Sequence, residues 1–267
     1  MRQRRPVREG SSRRGSVARP HAWHASHVRA VAIAIGVALA PAITLGASGQ
    51  AAAASTAFVP PPYNGGQPSI EGRYAVEGVE PGGKVAPTGV ATITRRAGDA
   101  YTMVEEIAGG TYPATCLRRG DLFACGWGRP GVIQNVVVYT PLDDALDGRW
   151  LASDRDGLGR ERLVGGDVAA GGTWSIVEGA GPDGVGYGGT VVDQVAGEVH
   201  RLVGSTGGTM RFGFGLRDRD ALVVGFDGTG SCGAVAYRIG AQGRTLVGRW
   251  VDPGRPTELG TETLRRP

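Results

Sequence analysis

One short phrase occurs twice in this chain. Leu146-x-Gly148-Arg149-Trp150 returns as Leu246-x-Gly248-Arg249-Trp250, and Leu158-Gly159-x-Glu161-x-Leu163 returns as Leu259-Gly260-x-Glu262-x-Leu264. The remainder of each half aligns in the same order. Gly72-Arg73-Tyr74 stands against Gly172-Thr173-Trp174, Gly109-Gly110-Thr111 against Gly207-Gly208-Thr209, and Leu117-Arg118 against Leu216-Arg217. Tyr139 falls opposite Tyr237. A period of about 100 residues is a whole domain, far beyond the roughly 20–50 residue units of solenoids and propellers. The chain therefore reads as a duplicated compact module, with repeat 1 over 70–165 and repeat 2 over 166–267.

Within each module, short runs of β-branched and aromatic residues alternate with Gly, Asp or Asn clusters every 8 to 12 residues, the pattern of an all-β sandwich or barrel. In the first copy the pattern predicts strands at 71–78, 88–95, 100–107, 110–117, 121–128, 133–139, 146–152 and 158–164. Turns such as Ala97-Gly98-Asp99, Arg119-Gly120-Asp121 and Ala196-Gly197-Glu198 place glycine where a tight hairpin needs positive φ. Sequential hairpins make a meander, and about eight antiparallel strands suffice to close one into a barrel that side chains can fill. The expected fold is two tandem small antiparallel β-barrels, with narrow, filled interiors because Gly makes up 47 of 267 residues.

Ahead of the repeats, residues 1–54 carry a basic stretch to Arg29, an apolar run from Ala30 to about Gly46 and the string Ala51-Ala52-Ala53-Ala54. That anatomy predicts a secretory signal, and hence a periplasmic or extracellular protein. The alternative is an uncleaved leader, which would be the chain's only membrane contact. Residues 55–69, with Pro60-Pro61-Pro62 and Asn64-Gly65-Gly66, read as an extended tether. Residues 1–54 hold eight of the 29 Lys plus Arg and one of the 25 Asp plus Glu, leaving 21 against 24. The basic balance thus belongs to the leader and gives no argument for a nucleic-acid partner.

Beyond residue 54 there is one histidine, His200, and one lysine, Lys84. Histidine zinc clusters, a Ser-His-Asp triad in each module and Schiff-base chemistry in each module are excluded by count. No cofactor is implied, no metal site and no catalytic residue, and a non-enzymatic protein is expected. His200 aligns with Tyr101 and reads as a strand residue. Glu105-Glu106 are consecutive on a strand and point to opposite faces, so they cannot act together. Glu161 and Glu262 recur, and ion pairs with Arg149 and Arg249 are expected for them.

Candidate ligand contacts are Trp150, Trp250, Tyr139 and Tyr237, rings that either stack a ligand or fill the core. In Cys116-Leu117-Arg118-Arg119-Gly120-Asp121-Leu122-Phe123-Ala124-Cys125, a two-residue Gly120-Asp121 turn would set Cys116 opposite Cys125, close enough for a disulfide. Cys232 is then free, bonded between molecules, or paired with one of the other two. Arg119-Gly120-Asp121 resembles the tripeptide by which adhesive proteins engage integrins. Gly-Asp is also accounted for as a turn, and the second copy has Asp218-Arg219-Asp220 there.

The opening Gly-x-Tyr or Gly-x-Trp is similar to the first-strand signature of avidins and lipocalins, which implies an eight-stranded barrel around a small apolar ligand. The full pattern of Gly-x-Tyr, Gly-rich hairpin, Val-Tyr strand, Leu-x-Gly-x-Trp and Gly-x-Glu-x-Leu resembles small secreted bacterial proteins, some labelled fibronectin-binding. That resemblance implies an exported binding protein for an extracellular macromolecule such as a matrix protein. The alternative is a small-molecule barrel with a lumen lined by Tyr101, Met103, Tyr139 and Trp150 or their counterparts His200, Leu202, Tyr237 and Trp250. A cavity of ~300 Å³ or more distinguishes the two readings.

Overall fold

The computed structural model describes residues 66–267. The leader and the tether up to residue 65 lie outside the described residues, and with them the expected signal peptide. Strands β1 (Gly72–Val79), β2 (Gly89–Ala97), β3 (Ala100–Ile107), β4 (Gly110–Arg119), β5 (Leu122–Trp127), β6 (Asn135–Pro141), β7 (Ala145–Ala152) and β8 (Gly159–Val164) come from repeat 1. Repeat 2 supplies β9 (Gly171–Ala180), β10 (Gly186–Ala196), β11 (Val199–Thr206), β12 (Thr209–Asp218), β13 (Ala221–Asp227), β14 (Gly233–Ile239), β15 (Thr245–Val251) and β16 (Leu259–Arg265). All pairings are antiparallel, and the strands close into two eight-stranded barrels. Among the described residues no helix is long and apolar enough to cross a membrane.

The barrels are not the repeats. Barrel one runs β1-β16-β15-β14-β5-β4-β3-β2, and barrel two runs β10-β11-β12-β13-β6-β7-β8-β9. Repeat 1 therefore sends its last three strands into the barrel begun by repeat 2, and repeat 2 sends its last three back. The exchange occurs where β5 pairs with β14 (Phe123 opposite Tyr237) and β13 with β6 (Leu222 opposite Tyr139). Residues 128–134 and 228–232 cross from one barrel to the other. The second crossing is gathered around buried Asp227, whose carboxylate accepts from the amides of Thr229 (2.8 Å) and Ser231 (3.0 Å) and from both their hydroxyls.

An ordinary barrel wall alternates, with one face inside and one in water. The four exchanged-junction strands do not: Leu122–Gly126, Asn135–Tyr139, the whole of β13 and Gly233–Tyr237 are buried without a break. Their inward side chains fill the two lumens, and their outward ones meet in a third apolar layer between the barrels. That layer holds Leu117, Ala124, Ala234 and Ala236 from barrel one and Val136, Val138, Leu216 and Val223 from barrel two.

Small residues bring the walls into contact. A Cβ at Gly225 would lie 2.1 Å from the Gly233 carbonyl oxygen, and one at Gly126 would lie 2.4 Å from that of Asn135. Backbone cannot swing aside as a side-chain end can. Gly225→Ala is therefore expected to lower unfolding free energy by about 1–3 kcal/mol, the usual range for overpacking. Gly204→Ala, whose Cβ would meet nothing nearer than 3.6 Å, should shift it by less than about 1 kcal/mol. Urea titration of both variants checks this, and equal effects would remove the close-approach argument.

Candidate functional site

The repeated motifs build the same scaffold in each lumen. In barrel two Gly148 lies opposite both Tyr139 and Glu161, and Trp150 opposite Gly159. Glycine is needed because rings lie over these positions: a Cβ on Gly148 would be 2.7 Å from the Tyr139 ring, and one on Gly159 would be 2.0 Å from the Trp150 indole. Barrel one repeats this with Tyr237 over Gly248 and Trp250 over Gly260, at 2.4 and 2.2 Å. The recurring glutamate completes the unit. Tyr139 donates to Glu161 Oε1 at 2.5 Å, and Tyr237 Oη lies 2.5 Å from Glu262 Oε1.

This corrects the expected ion pairs. The register puts Arg149 opposite Arg160 and Arg249 opposite Thr261, on the outer face, while the glutamates lie opposite glycines on the inner face. Arg249 instead binds Glu198 at 2.6 Å and donates to the Arg217 carbonyl.

Beyond the shared scaffold the lumens differ. Barrel two contains a cavity of about 430 Å³, lined in part by Val137, Tyr139, Trp150, Glu161, Tyr187, Val191, Gly204, Arg211 and Phe226. The expected filled interior does not hold for this barrel. In barrel one the corresponding space is about 50 Å³. The cross-strand pair Gly204–Arg211 in barrel two has Glu105–Tyr112 as its counterpart in barrel one. A glycine opens the larger lumen where a glutamate narrows the smaller one.

The polar side of the larger cavity is prearranged. Trp150 Nε1 donates to the Tyr187 hydroxyl at 2.8 Å, and Tyr187 donates to Glu161 Oε2 at 2.8 Å. Burial raises the Glu161 carboxyl above its ordinary range, opposed by the hydrogen bonds from Tyr139 and Tyr187 and by the Arg211 charge. Burial and the neighbouring Glu161 push both phenols upward. Tyr139, Trp150 and Glu161 come from repeat 1, and Tyr187, Gly204 and Arg211 from repeat 2, so the site exists only through the exchange.

Elsewhere in barrel two, His200 Nδ1 lies 2.8 Å from Asp193 Oδ2, both side chains 1% exposed. Barrel one has Tyr101 and Ile93 at these places. The sequence signal for this pair, absent from the residue types considered above, is an aspartate on the inward face of an apolar strand, Val191-x-Asp193-x-Val195.

In barrel one, Tyr237 Oη touches two carboxyls: Glu262 at 2.5 Å and Glu105 Oε1 at 3.1 Å. A phenol has one hydrogen, so the trio is fully satisfied when one carboxyl keeps a proton and donates it to the phenol oxygen. Burial, opposed by the Tyr237 hydrogen bond, pushes Glu262 up to about 7. Burial, followed by the Glu262 charge, raises Glu105 well above its ordinary range. Glu105 and Glu106 are consecutive and cannot act together; the carboxyl that joins Glu105 at Tyr237 is Glu262, which arrives from β16.

Cys116 and Cys125 face each other across β4 and β5 and are joined by a disulfide inside barrel one, with S–S at 2.12 Å. Cys232 is a buried free thiol, pushed upward by burial and by Asp227. At the hairpin tip Gly120 has φ +62°. Both charged neighbours are engaged: Arg119 donates to Thr140 Oγ1, and Asp121 accepts from Arg238 at 2.8 Å and Arg219 at 3.4 Å.

No protein-family model, no curated protein and no solved structure matches the chain.

The Glu262 carboxyl binds its proton more tightly folded (about 7) than at its ordinary 4.5. Its contribution to stability is therefore greatest below about pH 4.5 and is lost as pH rises through about 7. Glu262→Gln should gain in thermal midpoint relative to the parent between pH 4.5 and 8. A difference that stays flat across that range would contradict the buried-acid assignment.

Proposed function

We propose that the protein is a non-enzymatic binding protein whose ligand is a small molecule held in the lumen of barrel two. The observation that carries this reading is the cavity of about 430 Å³, within the ~300–1,000 Å³ of ordinary ligand sites. Its wall offers Val137, Val191 and Phe226 for an apolar body, while Glu161, Tyr187 and Arg211 form a polar patch that fixes orientation. Ile133, Val185 and Met210, exposed at 52, 64 and 47%, line the same cavity and give an apolar entrance.

Export, which the leader pattern suggests, would place this carrier outside the cytoplasm. The matrix-adhesion reading draws on the same leader and on the duplication. At the Arg-Gly-Asp tip, which belongs to that reading, Arg119 and Asp121 are exposed and make surface contacts with Thr140, Arg238 and Arg219.

Titration with the apolar fluorophore N-phenyl-1-naphthylamine should give saturable binding with one site per chain. Gly204→Phe projects a ring into the cavity where the Cβ itself meets no clash. It should weaken binding at least tenfold while leaving the thermal midpoint and circular dichroism close to the parent's. No saturable binding by the parent, or undiminished binding by a folded Gly204→Phe, would reject the reading.

A further inference from the structure

Barrel one carries a second, chemically different site. Its lumen opens into a space of about 50 Å³ lined by Tyr112, Trp127 and Trp250 together with Glu105 and Glu262. The rings form consecutive walls of a box. Tyr112 and Trp127 are 6.4 Å apart and 80° from parallel, and Trp127 and Trp250 are 6.1 Å apart and also at 80°.

The two carboxylates have no cationic partner: neither Glu105 nor Glu262 takes part in any salt bridge among the described residues. Among the described residues no arginine or lysine shifts their protonation: burial and the Tyr237 hydrogen bond act on both, and the Glu262 charge acts on Glu105. Barrel two shows what the scaffold does with one carboxylate. There Arg211 offsets Glu161. At the equivalent cross-strand pair, barrel one replaces Gly204 by Glu105 and Arg211 by Tyr112. Relative to barrel two it gains an acid, loses a base and gains a ring at the same spot.

An aromatic box with unbalanced carboxylates is the surrounding that favours an organic cation, drawn to ring faces and to negative charge at once. A water occupies ~10–15 Å³ on the scale of the cavity volume, so the space takes a group of a few heavy atoms. We propose that barrel one binds the ammonium headgroup of a small organic amine between Glu105, Glu262 and the Tyr112, Trp127 and Trp250 rings. The remainder of the ligand extends past Ala86 and Pro87, which also line the opening. Binding displaces the proton that the carboxyl pair otherwise retains.

The groups facing the pair are Tyr237 from β14 and, across the box, Tyr112 from β4, which itself feels Asp252 and Arg129. The phenols, raised further by burial, stay neutral in the working range. Ionisation of Glu262 therefore sets the pH dependence, and affinity rises as pH passes upward through about 7.

Isothermal titration with choline, with ethanolamine and with 3,3-dimethylbutan-1-ol, the uncharged isostere of choline, tests the proposal. A Gly204→Phe background closes the lumen of barrel two, so the outcome does not depend on the function proposed for that barrel. One or both ammonium compounds should bind saturably at pH 8, at least tenfold more tightly than the neutral isostere and at least tenfold more weakly at pH 5. Tyr112→Arg, which supplies the missing base, should abolish binding. Glu105→Gln should weaken it at least tenfold and reduce the pH dependence, and it serves if Tyr112→Arg does not fold. Binding of neither ammonium compound, equal affinity for the isostere, or full affinity in folded Tyr112→Arg or Glu105→Gln would overturn the proposal.

Discussion

The apolar layer between the barrels is the contact on which everything else in this molecule rests. A β-barrel of this size has an inside that side chains can fill and an outside that belongs in water. Here four strands have no outside. Ala124, Ala234 and Ala236 on one wall meet Val136, Val138 and Val223 on the other, and close passage at Gly126 and Gly225 leaves no room for a side chain. Because the strands of this layer are the ones exchanged between repeats, each barrel is closed by sequence from both halves. Separating the barrels would expose this layer, and separating the repeats would leave each barrel without three of its strands.

On that frame, duplication has kept the scaffold and let the interiors diverge. Tyrosine over glycine, tryptophan over glycine and a glutamate bound to the tyrosine occur in both lumens. The differences lie on β2, β3 and β4 against β10, β11 and β12. Ile93 and Tyr101 stand against Asp193 and His200, Glu105 against Gly204, and Tyr112 against Arg211. These few exchanges turn one lumen into an open, partly apolar cavity with a compensated acid, and the other into a narrow aromatic box with two uncompensated acids.

Much of the secondary structure was legible. Strand limits expected at 100–107 and 146–152 are found at Ala100–Ile107 and Ala145–Ala152, because period-two alternation and turn glycines are local signals. The exchange was not legible for a physical reason. β6 and β14 are alike enough that β5 could pair with either, and local chemistry does not distinguish the two closures. The runs Val136-Val137-Val138 and Val223-Val224 did carry a trace of it, since an unbroken apolar strand needs cover on both faces. The Glu161 and Glu262 partnerships were misread because Arg149 and Arg249 are close in the chain but on the other face once Trp150 is placed opposite Gly159. The cavity could not be read because it depends on a side chain that Gly204 lacks.

The strand exchange determines which residues share a lumen, and it is directly measurable. In isotopically labelled protein, nuclear Overhauser contacts should link Phe123 with Tyr237, whose rings lie 6.1 Å apart, and Leu222 with Tyr139, its cross-strand partner. Contacts linking Phe123 with Tyr139 and Leu222 with Tyr237 instead would mean that each repeat closes on itself, and would contradict the assignment of both lumens.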